Sequence, residues 1–594
     1  MKIRRVLFFL IAVSFCGLSL FSVETKYYPV ASNEWKMVDD ICRIAGVSGP
    51  SSFGPVTGNQ LLIALDRAEK NMVSYNLIQT AREMICSFDS VYSDDLGAIA
   101  LEGEFNAEVY LQSNGDAMER PPYGYDDEWV IRNFRERPSL LSISLESTIG
   151  SFFYSRFVYP FREKQIIKDY YWSDSTHLLG ASKDWEQNLP YDAGISFSNK
   201  NLSLITGRGR VSAGEGFSGN TAIGDNYDYQ EFLKLGANTR NTGLFLTITS
   251  FDSSRTSFDE SRVTITEPYK VQNASFSGYR ELRHNVGYEL TLLDRAKFSL
   301  SFINLIDTTT AFDFRYINPF MIMHNYFNYH EDTILEANNM ISVDSSIALA
   351  KGLRLYVQFT MDQIQLSGET KSYNRKYLYV DPNAFAGLIN LSYSREIQKG
   401  ILTLFGEAVY TSPAMYLNQK FYDGDDNVTQ YKGELNDTRT DYISSYDPCW
   451  SQDFLLGYNR TESNNYDADM AFSGYIYGPD AIVFALGGEY YIPDKIDLRA
   501  RVFYMAHGEK GRGSDDNNYN FSGLDSKETI NTLSPTGIVE KTFAVSAECD
   551  WTLSEFVSLY CGAAYSYRWN YRNQEGINLG NLQTAFGVKL TYTL

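Results

Sequence analysis

Past its first twenty residues the chain has no stretch of eighteen or more apolar residues. That excludes a helical membrane span. Basic residues are the minority: 52 Lys and Arg stand against 73 Asp and Glu, a formal charge of -21. Phosphate binding needs the opposite balance, so nucleic acid is excluded as a partner. The five histidines, His177, His284, His324, His330 and His507, show no H-E-x-x-H or paired ligand spacing. Metal catalysis is not expected from them. No G-x-S-x-G elbow and no triad-like Ser, His and Asp arrangement occurs. No fixed-period solenoid repeat occurs either. These absences predict a non-enzymatic chain with no cofactor and no metal.

Cysteine is scarce, at six residues. Cys16 lies in an N-terminal leader, where Lys2, Arg4 and Arg5 precede the apolar run Val6–Leu20 and small residues surround Ser22. This reads as a cleaved secretory signal over 1–22, so the protein is exported. Cys16 as a lipoprotein acceptor is the alternative, opposed by bulky Phe15. Five cysteines then remain. Cys42 and Cys86 are a candidate disulfide in an oxidising compartment, and Cys449 falls in a loop.

What is present is alternation. Ile99, Leu101, Phe105, Ala107, Val109 and Leu111 share one parity, and Glu102, Glu104, Asn106, Glu108 and Gln112 share the other. Period two means a strand with one dry and one wet face. Phe586, Val588, Leu590, Tyr592 and Leu594 repeat the pattern at the end of the sequence. A dry face on exported strands fits a barrel with lipid outside and a polar lumen. Cys549 and Cys561 share the apolar parity and read as small lipid-facing residues. The 44 Tyr and 37 Phe suit aromatic girdles. A large secreted β-sandwich also alternates and is the competing fold.

Residues 28–92 depart from this period. Trp35, Val38, Ile41, Cys42 and Ala45 follow helical spacing after a Ser32 cap and before Gly46. Thr57 with Gln60 resembles a capping box leading Leu61, Leu62, Ala64 and Leu65. Leu77, Ile78, Ala81, Met84 and Ile85 form a third stripe. This predicts a small helical periplasmic unit, either a folded cap or a plug. From 97 to 594 roughly sixteen to twenty strand-like segments are expected, with long polar loops near 114–137, 418–447, 459–468 and 508–537. The last strand has Gly587, Leu590 and Tyr592, a spacing resembling the signal read by the outer-membrane insertion machinery.

An ordered set of motifs follows. "CRIAGVSG" and "PVTGNQLLIALD" open it; "LSLITGRGRVSAGEGFSGNTAIGDN" carries Gly207, Arg208, Gly214, Gly219 and Asn226. "ELRHNVGYEL" and "FRYINPFMIMHN" come next, the latter with Arg315, Asn318, Pro319 and His324. "NNMISVDSSIALAKGLRLYVQFTMDQIQL", "GEAVYTSPAMY" and "YGPDAIVFALGGEY" close it, the last with Gly478, Pro479 and Asp480. Together these resemble the Wzi-type capsule-assembly outer-membrane proteins. The resemblance implies an all-β, transmembrane antiparallel barrel of about eighteen strands with a small N-terminal helical unit closing it. It also implies a lectin-like hold on surface polysaccharide. The motif positions read as structural, and no glycan-contact residue follows from them.

Other motifs carry less. Gly214–Gly219 fits G-x-G-x-x-G, but that fingerprint works between a strand and a helix, and here the flanks are β. A tight bend is expected instead. Asp423, Asp425, Asn427 and Glu434 have EF-hand spacing, but Val428 stands where Gly is needed, so a solvated acidic loop is expected. Arg315 with Asn318-Pro319 reads as a structural corner, with Arg315 as a ligand contact the alternative. Glu102, Glu104 and Glu108 are either a cation-attracting stripe or partners for lumen Arg and Lys; partners are the favoured reading.

Two functions from different classes remain in view. One is a barrel that binds or anchors surface polysaccharide, in contact with outer-membrane lipid. The other is a cation-favouring porin or nutrient channel. An outer-membrane hydrolase has no nucleophile constellation to support it.

Overall fold

The computed structural model describes residues 23–593 apart from 115–137, 175–184, 187–191, 253–269, 273–279, 309–317, 319–333, 364–370, 423–450, 455–464, 510–532 and shorter breaks of up to four residues. The expected signal with Cys16, the acidic loop at Asp423–Glu434, and Cys449, Asn226, Arg315, Pro319, His177, His324 and His330 lie outside the described residues.

Eighteen antiparallel strands close into a barrel. They are β1 (Gly97–Gln112), β2 (Leu141–Ile149), β3 (Phe153–Ile167), β4 (Asp192–Ser198), β5 (Leu202–Gly209) and β6 (Gln230–Asn238). Then come β7 (Thr242–Asp252), β8 (Arg280–Leu292), β9 (Ala296–Thr308), β10 (Ile334–Ala350), β11 (Leu353–Gln363) and β12 (Ala384–Ile397). The last six are β13 (Gly400–Thr411), β14 (Ala481–Ile492), β15 (Ile496–His507), β16 (Glu540–Ser554), β17 (Val557–Trp569) and β18 (Asn578–Thr593). Pairing of β18 with β1 runs from Gln583↔Gln112 to Thr593↔Glu102 and closes the circle. Closure leaves no unpaired strand edge, which a lipid core would penalise by several kcal/mol per group.

The period-two reading sorts the two faces. Leu404, Leu486, Phe484, Ile389 and Leu391 point outward and are exposed. Their neighbours Thr403, Glu407, Asn390 and Ser392 point inward and are buried. Among the described residues no helix is long and apolar enough to cross a membrane. Short turns at 150–152, 239–241, 293–295, 351–352 and 398–399 share one end of the barrel, and long connections share the other. Cys549 and Cys561 face each other across β16 and β17 on the outward parity, and both thiols are free.

Three helices precede the barrel: α1 (Asn33–Ala45), α2 (Gly58–Glu69) and α3 (Tyr75–Cys86). Trp35 N donates to Ser32 Oγ at 3.3 Å, and Gly46 follows α1 in the left-handed region. Gln60 Oε1 accepts from Thr57 N at 2.8 Å at the start of α2. Met37, Val38, Ile41, Leu61, Leu65, Leu77, Ile78 and Ile85 form the core between them. The candidate Cys42–Cys86 bond is not formed, and both thiols are free. The cause is helical phase: Cys42 faces α2 and donates to Ala64 O at 3.5 Å, while Cys86 is exposed at the end of α3. Burial pushes the Cys42 thiol up to about 11.

Candidate functional site: the filled lumen

Two segments enter the barrel from opposite ends. The first is the helical unit, which meets the wall near the short turns. Gly352 N donates to Arg43 O, and Ser48 N donates to Asp294 O, each at 2.8 Å. Side chains then tie α1 to the lumen face. Arg43 donates to Asp40 at 2.5 Å and to Ser394 Oγ at 2.7 Å. Asp40 also accepts from Thr403 Oγ1 at 2.8 Å and Tyr491 OH at 3.1 Å. Arg354 of β11 pairs with Asp39, and Lys36 pairs with Glu489 of β14. Burial alone would raise the Asp39 carboxyl, but Arg354 and Arg43 outweigh it and hold the group below its ordinary value. Burial lowers the Lys36 ammonium.

The second segment is 210–225, between β5 and β6. It folds inward rather than out. Phe217 N and Ser218 N both donate to Glu407 of β13 at 2.8 Å. Thr221 N donates to Gln358 Oε1 of β11 at 2.7 Å, and Phe217 stacks on Phe405 with centroids 4.0 Å apart. Such a loop carries backbone donors across a lumen, and the buried Glu407 and Gln358 are their acceptors. Gly214 makes the crossing possible. Its φ is +138°, and a Cβ there would fall 2.1 Å from Asn220 Oδ1. The tight bend expected for the G-x-G-x-x-G run is present, but it serves a longer excursion that periodicity did not reveal.

The two segments share one buried charge network. Glu215 of the inward loop lies 2.5 Å from Lys297 and 3.7 Å from Arg354, and accepts from Ser346 Oγ at 2.9 Å. Arg354 therefore stands between Asp39 of α1 and Glu215 of the loop. Lys234 is wholly buried and donates to Pro55 O at 2.6 Å, with the Phe245 ring 4.9 Å away.

The motif positions are brought together only in part. Gly207 lies on the inward parity of β5, Gly214 and Gly219 lie on the inward loop, and Tyr475 is the nearest side chain to Gly219. Tyr475 belongs to the segment running into Gly478, Pro479 and Asp480, so those two motifs meet. Asp480 is buried, accepts from Thr536 N at 3.0 Å, and bridges the ends of three connections. Asn318 is exposed. Of the acidic stripe, Glu104 pairs with Lys589 at 2.7 Å and Glu108 accepts from Tyr110 OH. His507 is held between Tyr477 O at 3.0 Å and Gly508 O at 2.8 Å. Periodicity missed Arg354, Lys297 and Glu407, because a lone inward charge on a strand looks the same whether water or another segment faces it, and it missed Asp39 because a polar helix face looks the same in either case.

The closed eighteen-stranded barrel, apolar outside and polar within, defines an outer-membrane-type β-barrel. Among solved structures, the chain is similar to Wzi of Escherichia coli, an outer membrane protein involved in Group 1 capsule assembly and described as a carbohydrate-binding β-barrel. The identity is 11% and the TM-score 0.51, over 94% of this chain and 98% of that one. It is also similar to the outer membrane channel DcaP of Acinetobacter baumannii, at 10% identity and TM-score 0.35, over 85% of this chain and 100% of that one. OprD of Pseudomonas aeruginosa stands at 9% identity and TM-score 0.35, over 84% and 95%. These likenesses are of fold. No sequence-family profile and no curated protein sequence matches the chain.

Proposed function

We propose that this protein is a bacterial outer-membrane barrel that binds or anchors surface polysaccharide without chemistry, in the manner of Wzi-type capsule assembly. Residues 28–92 act as a periplasmic plug. The leader directs export, and the C-terminal strand engages the insertion machinery. One observation carries the reading: helical unit and inward loop meet in the lumen through Asp39, Arg354, Glu215 and Lys297. A diffusion channel gains nothing from a lumen crossed from both ends, whereas a rigid holder of a surface polymer does. The carbohydrate-binding character of the similar Wzi barrel supports the same reading.

A cation-favouring channel is the second reading. It is favoured by the partly exposed carboxylates Asp497, Asp550 and Glu104 on the lumen face. Planar-bilayer recording of the full chain, beside a screen on immobilised glycans, separates the two. Silence with glycan binding is expected. Steady cation-selective conductance without glycan binding makes the protein a porin.

A further inference from the structure

We infer that the lumen carries a subsite for an acidic sugar ring just above the helical unit, built from Phe217, Phe405 and Arg501. The inference rests on the polysaccharide reading and names a ligand chemistry for it. Phe217 stacks on Phe405 with planes 4° apart, yet keeps 37% of its surface exposed. Phe53, Phe245, Tyr356, Tyr416, Tyr475 and Tyr477 of the described lumen core are buried, and Phe503 is partly so. The Phe217 backbone is clamped on Glu407, so its ring is already in place before any ligand arrives. A fixed ring with one open face is a platform for the apolar face of a sugar.

Arg501 supplies the second half. Phe405 lies opposite Gly487, and Gly487 lies opposite Arg501, in one inward row across β13, β14 and β15. Two strand spacings place the Arg501 backbone about 10 Å from that of Phe405. Gly487 puts no side chain between them, and the Phe405 ring lies over it: a Cβ there would fall 2.3 Å from Phe405 Cζ. Arg501 is exposed and makes no ion pair or hydrogen bond among the described residues. Its neighbours are matched, Lys36 with Glu489 and Arg499 with Asp550. An unmatched guanidinium on an inward parity is a seat for an anion, and its planar fork suits a carboxylate. The row is the next inward step beyond Lys36–Glu489 and Asp40–Thr403, so the helical unit forms the floor. A flat apolar face and a carboxylate occur together in a hexuronate. A neutral sugar lacks the charge, and free phosphate lacks the ring.

The test uses the full chain in detergent, titrated with glucuronate and galacturonate and with glucose and galactose, followed by ligand-observed NMR. The uronates are expected to bind about tenfold more tightly than the neutral sugars. Arg501→Gln is expected to remove that preference. Phe217→Ala weakens acidic and neutral sugars alike by about fivefold, and Phe217→Tyr restores the loss. Heat-modifiable gel mobility checks that each variant is folded. Equal affinity of the parent protein for acid and neutral sugars overturns the subsite, as does a preference that survives Arg501→Gln. Binding to immobilised polysaccharide without uronate preference overturns the subsite alone. Failure to bind any glycan overturns the polysaccharide reading as well.

Discussion

The lumen wall has two sectors built from the same alternating pattern. From β8 to β14 its charged groups are covered by chain arriving from elsewhere: Arg354 is 1% exposed and its partner Asp39 6%. From β15 through β18 to β1 the charges that do pair are joined along the wall itself. Arg499 and Asp550 are 25% and 35% exposed, and Lys589 and Glu104 are 44% and 27%. Among the described residues, no hydrogen bond or ion pair joins the three helices to that second sector. Similar residues thus do different work. In the covered sector they fasten segments, and in the bare sector they set the field of a wet surface.

The largest effect is expected at Arg354. Replacing it with Ala leaves Asp39 and Glu215 without their shared cation, and loss of one partner of a buried pair costs about 3–5 kcal/mol. Helical unit and loop are expected to loosen together, read as protease cleavage within 28–92 and as new bilayer conductance. A charge outside is the next largest perturbation. Leu486→Arg on the lipid face costs about 2–4 kcal/mol of folding stability in vesicles, although Leu486 is 59% exposed. Arg499→Gln in the bare sector costs about 1 kcal/mol or less, because water screens the pair, and shifts ion selectivity in any conducting variant.

Acidity sharpens the contrast from another side. The Asp39 carboxyl sits below its ordinary value when folded, so its contribution is complete above the unfolded value and is lost as pH falls through the folded one. Docking of the helical unit is therefore expected to hold through neutral and mildly acid solution and to weaken only below about pH 4. Protease susceptibility against pH measures it, and Asp39→Asn flattens that profile. The smallest effect is chemical. Maleimide labels exposed Cys86 in the folded protein, while Cys42, buried and with its thiol pushed up to about 11, reacts only on unfolding.

Much of this architecture is legible residue by residue. Ile99–Leu111 and Phe586–Tyr592 declare both faces of β1 and β18, since lipid and water impose opposite demands on neighbouring side chains. Ser32, Gly46, Thr57 and Gln60 announce helix ends by local chemistry alone. β10 is harder to read, because Asp344 and Ser346 sit inward where packing is polar. The candidate site was the least legible part. Glu215 and Phe217 stand in a glycine-rich run that marks a bend and says nothing of its destination.

By itself, then, the sequence determined the strand period, the barrel class and the presence of three helices, because each follows from side-chain patterns repeated over a few residues. Only the tertiary structure decided that 210–225 turns inward onto Glu407, that Arg354 joins Asp39 to Glu215, and that Arg501 is left unmatched. Those relations link residues hundreds of positions apart. They depend on closure of the barrel, which places opposite walls within reach of one another and makes each inward charge answer to whatever else fills the lumen.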